Sequence, residues 1–106
     1  MCTYALEKKA ENVKLLDIRE ITNISDYFFV CSGTSDRHVI TIADYILEKL
    51  GELKIKPHAV EGLSEGRWVI LDFIDVMVHI FQQPVRDFYE FDDLWSLGIE
   101  VTVSGK

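Results

Sequence analysis

The sequence predicts a single α/β domain, residues 1–106, built on a mixed β-sheet of about five strands with flanking helices. Three stretches carry that prediction. "YFFVCSG" (27–33) is a continuous aromatic and β-branched run closed by glycine, the pattern of a strand buried on both faces. In "TSDRHVITIADYILEKLGEL" (34–53), Val39, Ile42, Ile46, Leu47 and Leu50 fall close to helical spacing. "RWVILDF" and "DVMVHIF" (67–73 and 75–81) read as two strands of a hairpin that turns near Phe73–Ile74.

The other elements follow in chain order. "TYALEKKAE" (3–11) suits a short helix capped by Thr3, with Ala5, Leu6 and Ala10 on a weak apolar face. "NVKLLDIREI" (12–21) alternates as a strand at the sheet edge would, and "NISD" (23–26) supplies turn residues that bond their own backbone. Gly33 to Asp36 is a strand-to-helix turn, with Thr34 or Ser35 as N-cap and Gly51 as the helix stop. "KIKPHAVEG" (54–62) reads as a short strand interrupted by Pro57, which suits an edge. "QQPVRDFYEFDDLWSLG" (82–98) is helical in two short pieces, with Pro84 in the first turn, and "IEVTV" (99–103) adds a last strand.

A chain of 106 residues holds one core, and 48% hydrophobic with 27% charged residues is the balance of a globular domain. No run of about 18 apolar residues exists to span a membrane. The start, "MCTYALEKKAENVK", lacks an apolar signal core, so the expected location is cytoplasmic. Cys2 and Cys31 are too few for a disulfide framework, and Cys31 lies in an apolar run as a small buried residue.

Eleven basic residues stand against eighteen acidic ones, a net charge of -7. Direct nucleic-acid binding depends on neutralising phosphates with Lys and Arg, so little of it is expected here. A basic protein is the better-matched partner, because opposite fields speed encounter.

Three groups of residues bear on chemistry. The turn "CSGTSDRH" could offer backbone N–H groups to an anion, but it has one glycine and no following lysine, and Asp36 would repel phosphate. Its residues read as helix capping. Asp72, Asp75 and His79 carry the side chains of a metal or acid–base site. Asp75 and His79 are four apart on a strand, however, and so roughly 13 Å from each other. The spacing favours turn aspartates and a histidine belonging to the sheet or to an exposed face. Trp68, Phe88, Tyr89, Phe91 and Trp95 cluster in the last third. Aromatics dominate small cores, yet Trp68 opens a strand after the charged "SEGR" stretch, and Trp, Tyr and Arg are enriched at binding hot spots. Core and interface both remain open for Trp68.

Four blocks in order, "SDYFFVCSGTSDRHVITIADYI", "EG" (61–62), "RWVILDF-DV-VHIF" and "VRDFYEFDDLW", resemble the ribosomal silencing factor family, also called Iojap-like. The similarity covers about residues 5 to 96. It implies a small α/β fold of nucleotidyltransferase-like topology. It also implies binding to the large ribosomal subunit through ribosomal protein fourteen of that subunit, a basic protein. Docked there, such a factor sterically blocks the small subunit and represses translation. Members of that family are often homodimers, and no catalysis is required of them; no cofactor and no metal are expected here. Carried over by position, Trp68 belongs to the ribosome-binding face, and Asp72, Asp75, His79, Arg86 and Tyr89 match signature positions as face or face-supporting residues. Ile74 stands where the family usually has glycine, which would strain a turn of positive φ. The N-terminal helix begins later than in longer members, and "SLGIEVTVSGK" extends past the usual end. Other readings are a large-subunit assembly factor using the same face, and a nucleotide-dependent transferase relying on Asp72 and Asp75.

Overall fold

Being apolar on both faces, "YFFVCSG" takes the middle of the sheet, and the rest of the chain is arranged to cover it. The computed structural model describes residues 2–101. The elements run α1 (Cys2–Glu7), β1 (Glu11–Asp17), β2 (Tyr27–Gly33), α2 (Asp36–Glu52), β3 (Ala59–Glu61), β4 (Trp68–Asp72), β5 (Val76–Gln82), α3 (Gln83–Phe88), α4 (Phe91–Leu94) and β6 (Ile99–Val101). One mixed sheet of six strands has the order β3-β4-β5-β2-β1-β6. Among the described residues only β2 and β5 pair in parallel, and the other four pairings are antiparallel. The parallel pair requires the crossover that α2 begins and the β3–β4 hairpin completes.

The two-residue period of the strands sorts the core into two layers. Phe29, Cys31, Val69, Leu71, Val78 and Ile80 face α2, where Val39, Ile42, Ala43, Ile46 and Leu50 meet them. On the opposite face Leu16, Phe28, Val30 and Phe81 are covered by Val85 of α3 and Phe91 of α4, with Trp68, Met77 and Trp95 at the margin. The parallel strands thus send the chain to opposite faces: α2 follows β2 on one side and α3 follows β5 on the other.

The sheet of six strands agrees with the expected mixed sheet of about five, the last strand, β6, pairing with β1. Several boundaries differ from those the residue pattern predicts, for reasons visible in the backbone. The pairing with β6 takes β1 off the edge. The strand ends at Asp17 instead of running to residue 21, since Ile18 N bonds Asp26 O and Ile18 O then accepts from Ile21 and Thr22. Thr3 lies inside α1 and does not cap it. The helix stops at Glu7 because Lys9 adopts φ 62, with Ala10 N bonding Ala5 O and Lys9 N bonding Leu6 O, a Schellman closure. Gly51 does not stop α2 either. The same closure occurs at Lys54 (φ 64), through Ile55 N to Leu50 O and Lys54 N to Gly51 O. β3 is confined to three residues beyond Pro57, at the sheet edge. Ser35, not Thr34, caps α2, accepting from His38 N at 3.1 Å. Residues 102 and 103 of the expected last strand lie outside the described residues.

The β4–β5 turn contains the least comfortable backbone. Ile74 has φ 75, and Asp75 N bonds Phe73 O at 2.9 Å across it, which makes a γ-turn of the rare positive-φ form. Asp72 Oδ1 accepts from Ile74 N at 2.8 Å, and Phe73 N bonds Val76 O at 2.9 Å, so neighbours hold the strain in place. The Ile74 side chain is 61% exposed and recovers little by packing. A left-handed conformation costs a β-branched residue about 1–2 kcal/mol, and glycine's greater freedom in the unfolded chain offsets part of that. Ile74→Gly is therefore expected to stabilise the domain by about 1 kcal/mol and raise the thermal midpoint by about 4 °C or more. Calorimetry showing an unchanged or lower midpoint would mean the turn carries no such strain.

Candidate docking face

Trp68 is placed by the loop before it. Gly62 has φ 77, and a Cβ there would sit 2.2 Å from Trp68 O, so only glycine lets the chain turn this tightly against β4. Gly62 O accepts from Glu65 N and Gly66 N to close the loop, and Gln82 clamps its far end through N to Arg67 O and Nε2 to Gly66 O. Trp68 then opens β4 opposite Phe81 of β5, with the two rings stacked at 4.7 Å between centroids. The indole is half-buried: one side belongs to the second core layer, and the other reaches the surface.

His79 lies on the same face of β5 and is 5% exposed. Its ring stands 4.6 Å from Phe28, 4.9 Å from Phe91 and 6.1 Å from Trp68. Trp68 Nε1–H donates to His79 Nδ1 at 3.1 Å, which assigns the neutral imidazole with its proton on Nε2. Nε2 is buried without a protein partner among the described residues. A buried donor of that kind costs about 1–3 kcal/mol. Burial pushes the imidazole pKa down to about 4.

Arg86 is the most deeply buried charged residue of the face, 2% exposed on α3. Nε and Nη2 donate to the two carboxylate oxygens of Asp92 at 3.0 and 3.2 Å, and Nη1 donates to Asn12 O and Ser32 Oγ, each at 2.9 Å. Lys14 Nζ adds a second cation 3.5 Å from Asp92. This cluster fills the region at the carboxyl ends of the parallel strands β2 and β5, where Asn12 Nδ2 also donates to Gln83 Oε1 at 2.8 Å. On the neighbouring turn, Thr34 N donates to His38 Nδ1 at 2.8 Å, and His38 Nε2 meets Lys8 O at 2.7 Å. A nucleotide would ordinarily be sought at such a strand-order reversal. Here its polar groups are occupied by one another.

With Arg86 holding α3 and α4 to the sheet, the residues after it are presented outward. Tyr89 ends α3, 48% exposed, with its ring 5.3 Å from Trp68 and 5.1 Å from Phe88. Phe88 is 79% exposed. Asp87, Glu90, Asp92 and Asp93, close to these aromatics in the chain, are exposed, and so is Leu94.

The six residues singled out from sequence therefore fall into two places. Trp68, His79 and Tyr89 form one aromatic group, underpinned by Arg86. Asp72 and Asp75 lie at the hairpin turn, with Asp72 four residues along β4 from Trp68 and thus roughly 13 Å away. Asp72 caps the γ-turn, and Asp75 O accepts from Asp26 N and Tyr27 N, so both have local structural duties. No group of three or more His, Cys, Asp or Glu is placed to hold a metal among the described residues. Sequence reasoning missed Phe88 as the most exposed aromatic and Asp92 as the partner of Arg86. Their signal is weak, because Asp92 lies six residues from Arg86 across the irregular junction of two short helices.

The face thus combines half-buried Trp68 and exposed Tyr89 and Phe88 with exposed carboxylates close in the chain. The family model described as "Ribosomal silencing factor during starvation" matches residues 1–104, and the chain belongs to that family. The Bacillus subtilis protein named ribosomal silencing factor RsfS is 39% identical over 89 residues, 84% of this chain and 75% of that protein. A protein of the same name from Halalkalibacterium halodurans is 35% identical over 99 residues, covering 93% and 85%. A crystal structure from Bacillus halodurans superposes with a TM-score of 0.85 at 32% identity, over 96% of this chain and 92% of that one. The family's role is ribosome silencing, which is regulatory rather than catalytic. Among the described residues no helix is long and apolar enough to cross a membrane.

The depressed pKa of His79 makes a prediction about stability. The unfolded imidazole protonates near pH 6.5 and the folded one only near 4, so the unfolded state binds more protons between those values. Stability from the neutral buried ring is fully present above about pH 6.5 and is lost as pH falls toward 4, by an amount on the order of 3 kcal/mol. Urea unfolding of wild type and His79→Phe across that range should give curves that diverge by this increment. Parallel curves would contradict a depressed pKa.

Proposed function

We propose that this chain acts in the cytoplasm as a docking factor. It binds the large ribosomal subunit through ribosomal protein fourteen of that subunit and sterically blocks joining of the small subunit, so repressing translation. The observation that carries this reading is the face built by half-buried Trp68 with exposed Tyr89 and Phe88, close in the chain to the exposed Asp87, Glu90, Asp92 and Asp93. Rigid rings give contact area at small entropic cost, and exposed carboxylates complement a basic protein. The net charge of -7 supports a protein contact over direct contact with RNA phosphates. A steric block needs volume and a firm seat, and no reacting group.

A second reading, assistance in large-subunit assembly, is supported by one relative. The mouse protein named "Mitochondrial assembly of ribosomal large subunit protein 1" is 28% identical over 94 residues, 86% of this chain and 41% of that protein. Both readings use the same face.

Titration of purified ribosomal protein fourteen tests the contact. Trp68→Ala and Tyr89→Ala, checked for retained folding by circular dichroism, are each expected to weaken binding by about 2 kcal/mol, roughly 30-fold. Affinity should also fall as salt rises from low to physiological strength. Unchanged affinity in both folded variants would remove this face from the contact.

A further inference from the structure

The buried imidazole of His79 is a poor choice for filling space. It sits among Phe28, Phe81 and Phe91, where a phenyl ring would meet the same neighbours without leaving a buried N–H unpaired. No metal-binding group assembles around it among the described residues, and it is nearly sealed from solvent. Among the described residues its ring makes one hydrogen bond, accepting the indole N–H of Trp68 at the border between the core and the outward aromatic face. An indole N–H has no acceptor function and a single direction, so one bond fixes how far the ring tips over Phe81 and toward Tyr89.

We propose that His79 is a positioning residue for docking: its Nδ1 holds the Trp68 indole in the pose that the partner meets, and its place in the core serves that bond more than it serves packing. The inference rests on the reading of Trp68 and Tyr89 as the docking face, and it adds a residue that itself touches no partner. Without the acceptor, the indole is free to rotate about its side-chain bonds over the surface of Phe81. The partner must then restore the order at its own expense.

The experiment uses two substitutions. His79→Phe fills the aromatic cage and removes the acceptor. His79→Asn is smaller, but its Oδ1 stands where the imidazole Nδ1 does. Binding to isolated large subunits is measured for both beside wild type and Trp68→Ala. The fluorescence anisotropy of Trp68 is read for both in a Trp95→Phe background, so that only one indole reports. The expected result is that His79→Phe is at least as resistant to urea as wild type at neutral pH, yet binds about tenfold more weakly, with lower Trp68 anisotropy. His79→Asn, despite lower stability, is expected to keep the anisotropy and most of the affinity. A structural role alone predicts the reverse order, with binding following stability. Wild-type affinity and anisotropy in His79→Phe would overturn the inference, as would an Asn variant that binds no better than the Phe variant. If Trp68→Ala weakens binding and His79→Phe does not, this inference falls alone. If Trp68→Ala has no effect, the docking face falls and takes the inference with it.

Discussion

One guanidinium ties the two halves of this domain together. Arg86 of α3 reaches Ser32 of β2, the carbonyl of Asn12 in β1 and the carboxylate of Asp92 in α4. Groups from Asn12 to Asp92 along the chain thus share one buried cation. A planar fork with five donors can do this, whereas an ammonium cannot span the same geometry. The consequence is positional: α3 and α4 are only six and four residues long and would not hold their form alone. Fixed to the sheet, they close the second core layer with Val85 and Phe91 and turn Phe88 and Tyr89 outward beside Trp68.

That arrangement separates two kinds of polar residue that look alike in sequence. Arg86 and His79 are buried and act through others, one on a helix pair and one on an indole. Asp87, Glu90 and Asp93 are exposed and give the face its sign of charge. Asp72 and Asp75 belong to a different end of the molecule, where they stabilise an awkward turn. In the region beyond the carboxyl ends of β2 and β5, where related topologies admit a ligand, polar groups of Asn12, Gln83, Arg86, Ser32 and Asp92 bond one another.

The sheet was legible in the sequence wherever burial is extreme. "YFFVCSG" became β2 at its predicted bounds, and the spacing of Val39, Ile42, Ile46 and Leu50 became the buried stripe of α2. The hairpin and its turn also fell where the residues placed them. Helix ends were less legible, because lysines at positions 9 and 54 take the left-handed role that glycine usually signals. The edge was misassigned because β6 is three residues long and its pairing with β1 leaves no local mark. Trp68, Tyr89, His79 and Arg86 were visible as residues of interest from the resemblance and the aromatic clustering. Which of them face outward depends on long-range contacts, from Arg86 to Ser32 and Asn12 above all, and no local pattern encodes those.

The central claim is that this domain works by occupying a surface of one ribosomal subunit. The most direct measurement is sedimentation of the purified chain with isolated large subunits, isolated small subunits, and both under conditions that favour joining. The account predicts co-sedimentation with large subunits only, and a fraction of joined ribosomes that falls as the chain is added. Co-sedimentation with large subunits and an undiminished joined fraction would contradict the steric block, and absence from the large-subunit fraction would contradict docking itself.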